Sequence, residues 1–181
     1  STPPVLLIIY RRPEHTRRVF ESIRQARPSH LFIAADTPPE ADDPALQQAC
    51  EEARRITEAI DWPCVVHRDY AVTNMGCAVR PNSAITWALS HVDRVIVLED
   101  DCLPGREFFR FCAELLERYA NDDRISAVCG VNLQDPAWQC EHSYCFSRYA
   151  HSWGWATWRR AWADQDLSLS QWQRLRPRRA A

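Results

Sequence analysis

Val95-Ile96-Val97-Leu98-Glu99-Asp100-Asp101-Cys102-Leu103-Pro104 decides the fold. Four apolar residues, three of them β-branched, end abruptly in three carboxylates. The apolar run is too short for a helix and rich in strand formers, so it reads as a strand buried on both faces. Such strands belong to mostly parallel sheets covered by helices, where ligands sit beyond the carboxyl ends of the strands. Folding alone does not require three adjacent acids at that point, because they repel one another. A divalent cation would relieve the repulsion, and oxygen donors suit Mg²⁺ or Mn²⁺. The competing reading is an acidic turn exposed to water.

The chain on either side agrees with a helix-covered sheet. Val5 to Tyr10 is a short apolar run that reads as a first buried strand. Arg11-Arg12-Pro13 breaks it, and Pro13 suits the first turn of a helix in which Val19, Phe20, Ile23 and Ala26 recur at helical spacing. Pro28 ends that helix, and Leu31 to Ala35 is a second strand ending in Asp36. A loop from Thr37 to Pro44, a helix from about Ala45 to Ile60 and a weak strand at Cys64-Val65-Val66 follow. Asp69 to Gly76 reads as a loop, and a helix beginning around Pro81 carries Ile85, Ala88 and Leu89 on one face. Beyond Pro104, Phe108, Cys112, Leu115 and Tyr119 share the face of an amphipathic helix that Asn121-Asp122-Asp123 ends. Ile125 to Cys129 is a further strand, closed by Gly130. Strands alternating with helices predict an α/β sheet, and no internal repeat or low-complexity segment interrupts it.

A chain of 181 residues fits one domain, 1–181, with mass enough for a real core. The net charge of −2 gives no broad basic field, so nucleic acid is not an implied partner. All 22 basic residues are Arg, a side chain suited to bidentate phosphate contacts. No apolar run approaches a membrane span, and the first residues lack the pattern of a secretory leader. None of the eight cysteines forms a C-x-x-C pair, and several lie in apolar segments. They read as free thiols of a cytoplasmic protein. A zinc site through Cys140, His142 and Cys145 lacks a second ligand pair at finger-like spacing.

Ser143 to Trp162 differs in character. Trp153, Trp155, Trp158 and Trp162 fall within ten residues, and the last three share a face if the segment is helical. That face is either core or a platform for sugar rings and bases. Gly154 between two Trp residues suggests a close approach of the backbone.

Leu98 to Pro104, followed by Phe108-Phe109-Arg110-Phe111-Cys112, Glu114-Leu115-Leu116-Glu117 and Gly130-Val131-Asn132, resembles the GT-A-fold glycosyltransferases. The nearest likeness is to a bacterial group of nucleotide-sugar transferases related to N-acetylglucosaminyltransferase I. Leu7-Ile8-Ile9-Tyr10 with Arg12-Pro13, Phe146-Ser147-Arg148-Tyr149 and the stretch from Trp153 to Trp162 resemble the same group. The likeness runs through nearly the whole chain in the expected order. It implies a GT-A-like, Rossmann-like sheet, mostly parallel and flanked by helices. It also implies transfer of a sugar from a nucleoside-diphosphate sugar, UDP-linked by preference, to a saccharide acceptor in bacterial surface polysaccharide synthesis. By this resemblance Asp101 is the ligand of Mn²⁺ or Mg²⁺, Asp100 faces the ribose or donor sugar, and Glu99 faces the donor sugar. Arg12 and Asp36 would hold base and ribose, and Arg80 lies near a position that contacts uracil or phosphate. At least one of Trp153, Trp155 and Trp158, Trp155 foremost, would border the donor-sugar or acceptor pocket while the others fill the core. Read without the family, Arg12 and Arg80 could equally be solvated surface residues and Asp36 the start of a turn.

An inverting transferase needs a base to take the acceptor's proton. In the family that base follows well after the Trp-rich segment. Here the sequence runs through Asp164, Asp166 and Trp172 to Arg176-Pro177-Arg178-Arg179-Ala180-Ala181. Asp164 and Asp166 are the nearest candidates, although both suit the surface of a helix end. The expectation is therefore a C-terminally truncated nucleotide-binding part, with 143–181 the start of an incomplete acceptor-side region. A non-catalytic nucleotide-sugar-binding remnant and a metal-dependent nucleotidyl or phosphotransfer enzyme are the other two readings. Only four glycines and no Gly-rich phosphate loop argue against a P-loop version of the latter.

Overall fold

In a computed structural model, which describes residues 1–39, 43–133 and 141–172, strands and helices alternate. They are β1 (Val5–Ile9), α1 (Pro13–Ala26), β2 (His30–Ala35), α2 (Pro44–Ile56), β3 (Val65–Tyr70), α3 (Gly76–His91), β4 (Arg94–Glu99), α4 (Phe108–Arg118), β5 (Ala127–Cys129), β6 (Trp155–Trp158) and α5 (Arg159–Trp162). The strands form one six-stranded sheet in the order β3-β2-β1-β4-β6-β5. β3, β2, β1 and β4 run parallel, while β6 is antiparallel to both β4 and β5.

The pleat sorts the apolar runs onto two faces. Val5, Leu7, Ile9, Leu31, Ile33, Ile96 and Leu98 join one core with α1, α2 and α4, including Phe20, Ala53 and Leu116. Leu6, Ile8, Phe32, Val95 and Val97 join a second core with Ile85, Ala88 and Leu89 of α3. The central strands are therefore buried on both sides, as their uninterrupted apolar sequences require. Pro13 opens α1 at its first turn, and Arg27 closes it in the left-handed region at φ 47° with its N–H on the Ile23 carbonyl. The Asp43 carboxylate caps α2 through the Leu46 N–H at 3.0 Å.

Three elements differ from the sequence reading. β3 extends from Val65 to Tyr70 and takes in Asp69, expected in a loop, because an edge strand with half-exposed residues tolerates polar side chains. α3 begins at Gly76, ahead of Pro81, which becomes its sixth residue. The carbonyl Pro81 cannot bond belongs to Cys77, an exposed residue in the first turn, where the lost bond matters least. Trp155 and Trp158 lie on strand β6, not on a helical face with Trp162. β6 sits between β4 and β5, so both of its edges find backbone partners that a helix would forgo. Strand alternation sends Trp155 to the α3 side, where its ring centroid lies 6.1 Å from that of Trp162. Trp158 is buried on the other side, donates its indole N–H to the Leu116 carbonyl at 3.0 Å, and carries the Arg160 guanidinium over its ring.

Gly130 and Gly154 meet behind the end of β4, the Gly130 N–H donating to the Gly154 carbonyl at 2.8 Å. A Cβ on Gly130 would collide with the Phe108 ring. Gly130→Ala should therefore push Phe108 aside and lower stability by about 1–3 kcal/mol in urea melts.

Candidate functional site

β1 leads through α1 to β2, and α2 continues to β3 on the same side; α3 then carries the chain back to β4 on the other side of β1. β1 and β4 are thus parallel neighbours whose outgoing connections diverge, which opens a crevice beyond their carboxyl ends. β1 delivers Tyr10, Arg11 and Arg12 to this crevice, and β4 delivers Glu99, Asp100 and Asp101.

Side chains from the two strand ends meet there. Arg12 Nη1 lies 3.1 Å from Asp100 Oδ1 and 2.7 Å from Asp101 Oδ2. The Tyr10 N–H donates to Asp100 Oδ2 at 3.3 Å, so both oxygens of Asp100 have partners. Asp100 is buried, Glu99 half-buried, and the Asp101 side chain is 49% exposed. Burial holds the Glu99 and Asp100 carboxyls above the usual carboxylate range, and for Asp100 it outweighs the opposing pull of Arg12. The Cys102 N–H closes a turn on the Glu99 carbonyl, and its thiol points at Asp101 Oδ1, 3.6 Å away. Burial raises that thiol's pKa, so it stays a protonated donor.

Asp101 opens onto a cleft of about 420 Å³ whose walls include Leu98, Phe108, Gly130, Trp153 and Gly154. A larger cleft of about 860 Å³ shares the Phe108 and Gly130 wall and is lined on its far side by Tyr119, Tyr144 and Phe146. These three aromatic rings stack edge to face with centroids 5.7 to 6.4 Å apart. The Tyr119 and Tyr144 hydroxyls are 2.6 Å apart, and Arg118 donates to the Tyr144 oxygen at 3.1 Å.

The other sequence-predicted residues lie as follows. Asp36, at the end of β2, accepts from the Thr37 N–H at 2.8 Å, the Met75 N–H at 3.0 Å and the Gly76 N–H at 2.9 Å. Its carboxylate therefore caps the start of α3 across the sheet end. Arg80 is buried in α3 and donates from Nη1 to Asp69 Oδ2 at 2.8 Å and from Nη2 to the Asp69 carbonyl. Arg80→Met should remove the bonds to Asp69, whose 38% exposed carboxylate can turn to water, and cost about 1–2 kcal/mol of stability by urea denaturation. Trp153 is 69% exposed at the cleft, whereas Trp155 is half-buried against Trp162. Asp164 is exposed. Asp166 accepts from the backbone and hydroxyl groups of both Ser168 and Ser170, which hold its carboxyl down at about 2. Cys140 and the Arg176 to Ala181 tail lie outside the described residues.

Sequence reading missed Arg54 and Asn74. Arg54 donates to the Asp36 carbonyl at 2.9 Å and lies over the Tyr70 ring, and Asn74 donates to the Thr37 carbonyl at 2.7 Å. Both tie the exit of β2 to its neighbours, and only the Asn-Met-Gly turn before α3 hinted at this in the sequence.

Among the described residues, no three His, Cys, Asp or Glu side chains converge as a ready cage for a metal ion. The donors on hand are carboxylate oxygens. Asp101 is half exposed, and the Glu99 side chain has no hydrogen-bond or ion-pair partner among the described residues. That set fits Mg²⁺ or Mn²⁺, which bind through one or two carboxylates and take their remaining oxygens from phosphate and water. No helix among the described residues is long and apolar enough to cross a membrane.

No protein-family model and no curated protein sequence matches the chain. Solved structures do. A mannosyltransferase from Pyrobaculum calidifontis, in complex with GDP-Man and Mn²⁺, superposes with a TM-score of 0.52 at 14% identity over 88% of this chain. The chain spans 45% of that enzyme's length. The 4-diphosphocytidyl-2C-methyl-D-erythritol synthase of Anaerococcus prevotii gives a TM-score of 0.53 at 8% identity, covering 88% of this chain and 73% of its own. At these identities the likeness is one of fold: a GT-A-like α/β sheet.

Proposed function

We propose that this chain is the donor-binding part of a divalent-cation-dependent glycosyltransferase. It would act on a nucleoside-diphosphate sugar and pass the sugar to a saccharide acceptor. The observation that carries this reading is the half-exposed Asp101, set at the divergence of β1 and β4 and opening onto a cleft of about 420 Å³. The fold shared with a mannosyltransferase that holds GDP-Man and Mn²⁺ supports it.

The departing diphosphate develops negative charge, and a divalent ion, when bound, supplies Lewis-acid stabilisation of that charge. Asp101 would hold the ion. Glu99, whose side chain has no hydrogen-bond or ion-pair partner among the described residues, would face the donor sugar. Asp100 is fixed by the Tyr10 N–H and keeps Arg12 at the mouth of the crevice, where its guanidinium would meet the diphosphate. Trp153 offers an exposed ring at the cleft for stacking on a sugar. The aromatic far wall of the larger cleft, Tyr119, Tyr144 and Phe146, would receive the acceptor saccharide. Asp166, already hydrogen-bonded and held at about 2, is a poor proton acceptor, so Asp164 is the better of the two base candidates in this chain.

The test supplies purified chain with Mn²⁺, UDP- and GDP-sugars and mixed saccharides, and follows donor binding together with release of nucleoside diphosphate. The expected result is donor binding that EDTA abolishes; equal binding with and without EDTA contradicts the reading. The fold shared with the erythritol synthase favours nucleotidyl transfer as the second reading. Pyrophosphate released from a nucleoside triphosphate and a sugar phosphate would select it.

Two further outcomes are expected. Trp153→Ala should leave the melting temperature within about 2 °C, because the ring is exposed, yet weaken donor or acceptor affinity by roughly fivefold or more. Calorimetry beside a thermal melt checks both. The second outcome follows from the raised Glu99 and Asp100 carboxyls. The folded protein holds their protons to higher pH than the unfolded chain does. The contribution of these two carboxyls to stability without metal should therefore fall as pH rises from about 4, where the unfolded carboxyls ionise, and level off above the raised folded values. Glu99→Gln should flatten that fall in EDTA-treated urea melts.

A further inference from the structure

We propose that Arg12 is a built-in counter-ion that occupies the cation's place on Asp101 until a nucleoside diphosphate arrives. The chain would then take up cation and nucleotide together instead of cation first. This rests on the function proposed above.

One nitrogen, Arg12 Nη1, bridges Asp100 and Asp101 at 3.1 and 2.7 Å, and so occupies the Asp101 carboxylate that would hold the cation. Arg12 is the only basic side chain paired with the triplet among the described residues. The two carboxylates it bridges are held differently. Asp100 is buried and also anchored by the Tyr10 N–H, whereas Asp101 is half exposed and among the described residues its side chain otherwise meets the weak Cys102 thiol donor alone. Arg12 is itself half exposed, and its side chain makes no capping bond to α1, so rotation toward the crevice breaks no hydrogen bond or ion pair but these two among the described residues. A diphosphate offers the guanidinium a bidentate anion in exchange. Asp101 is then released to the cation, while Asp100 stays in place to receive Arg12 back. By linkage, the factor by which the nucleotide tightens cation binding equals the factor by which the cation tightens nucleotide binding.

The experiment titrates Mn²⁺ into wild type, Arg12→Gln, Arg12→Met and Arg12→Lys, alone and with GDP or UDP, and reads free Mn²⁺ by electron paramagnetic resonance. Thermal melts run in parallel. In wild type, Mn²⁺ alone should bind weakly and tighten at least about tenfold when the nucleotide is present. Arg12→Gln should bind Mn²⁺ alone roughly threefold to tenfold tighter than wild type, because the competing charge is gone. In that variant nucleotide affinity should drop about tenfold and the coupling should shrink with it. Arg12→Lys, which keeps the charge, should behave nearer to wild type. Arg12→Met repeats the test with the apolar stem retained should the Gln variant melt early. Equal or weaker Mn²⁺ binding without nucleotide in both uncharged variants overturns the counter-ion role and leaves the proposed function standing. Failure of wild type to bind Mn²⁺ even with nucleotide overturns the proposed function, and this inference with it.

Discussion

Asp101→Ala should reduce nucleotide affinity in Mn²⁺ by at least about a hundredfold while leaving the melting temperature nearly unchanged. Losing a residue that merely supports a metal ligand costs 10- to 100-fold, and losing the proposed ligand itself should cost no less. The side chain is 49% exposed and makes one ion pair with a half-exposed Arg12, so its removal costs the fold little. Calorimetric titration with and without Mn²⁺ separates the outcomes. Affinity in EDTA should be weak for both proteins and no lower for Asp101→Ala, and only wild type should respond to the metal. Asp100→Ala should behave differently. That carboxylate is buried and bonded to Tyr10 and Arg12, so its loss should appear in the melt as well as in binding.

Asp36→Ala should lower stability by roughly 3 kcal/mol, a drop of about 10 °C in melting temperature for a chain of this size. The carboxylate accepts from three backbone N–H groups, of Thr37, Met75 and Gly76, and is itself buried. Alanine leaves those donors without an acceptor at the point where β2 meets the start of α3. Asp36→Asn keeps one acceptor oxygen and should recover about half of the loss. With both carboxylate oxygens engaged by backbone N–H groups, the proposed role of Asp36 is to shape the crevice and not to contact a ribose. Donor affinity of the still-folded Asn variant, measured in the cold, should then stay within about threefold of wild type. A tenfold loss there with little change in the melt would instead support direct contact with the ribose.

The contrast between these two aspartates marks what the sequence could tell. β1, β2 and β4 were legible because each is a continuous apolar run buried on both faces, and a strand of that kind writes its environment into its composition. β3 was legible only at Val65 and Val66, since His67, Arg68 and Asp69 are acceptable on a half-exposed edge strand but carry no strand signal. The Trp residues at three- and four-residue spacing imitated a helical face, and only pairing with β4 and β5 makes that segment a strand. Asp36 could not be read as the cap of α3 because two of its donors lie 39 and 40 residues downstream. The bridge from Arg12 to Asp100 and Asp101 spans 88 and 89 residues and depends on the topology that makes β1 and β4 neighbours. The acid triplet was visible because three adjacent carboxylates after a buried strand are an electrostatic anomaly on their own.

The most direct measurement is a crystal structure with Mn²⁺ and a nucleoside diphosphate, with anomalous scattering recorded at the manganese edge. One manganese peak is expected about 2.1 Å from an Asp101 carboxylate oxygen, at the carboxyl ends of β1 and β4, with the diphosphate supplying further oxygens. The nucleotide bound elsewhere, or bound in this crevice with no manganese at Asp101, would contradict it.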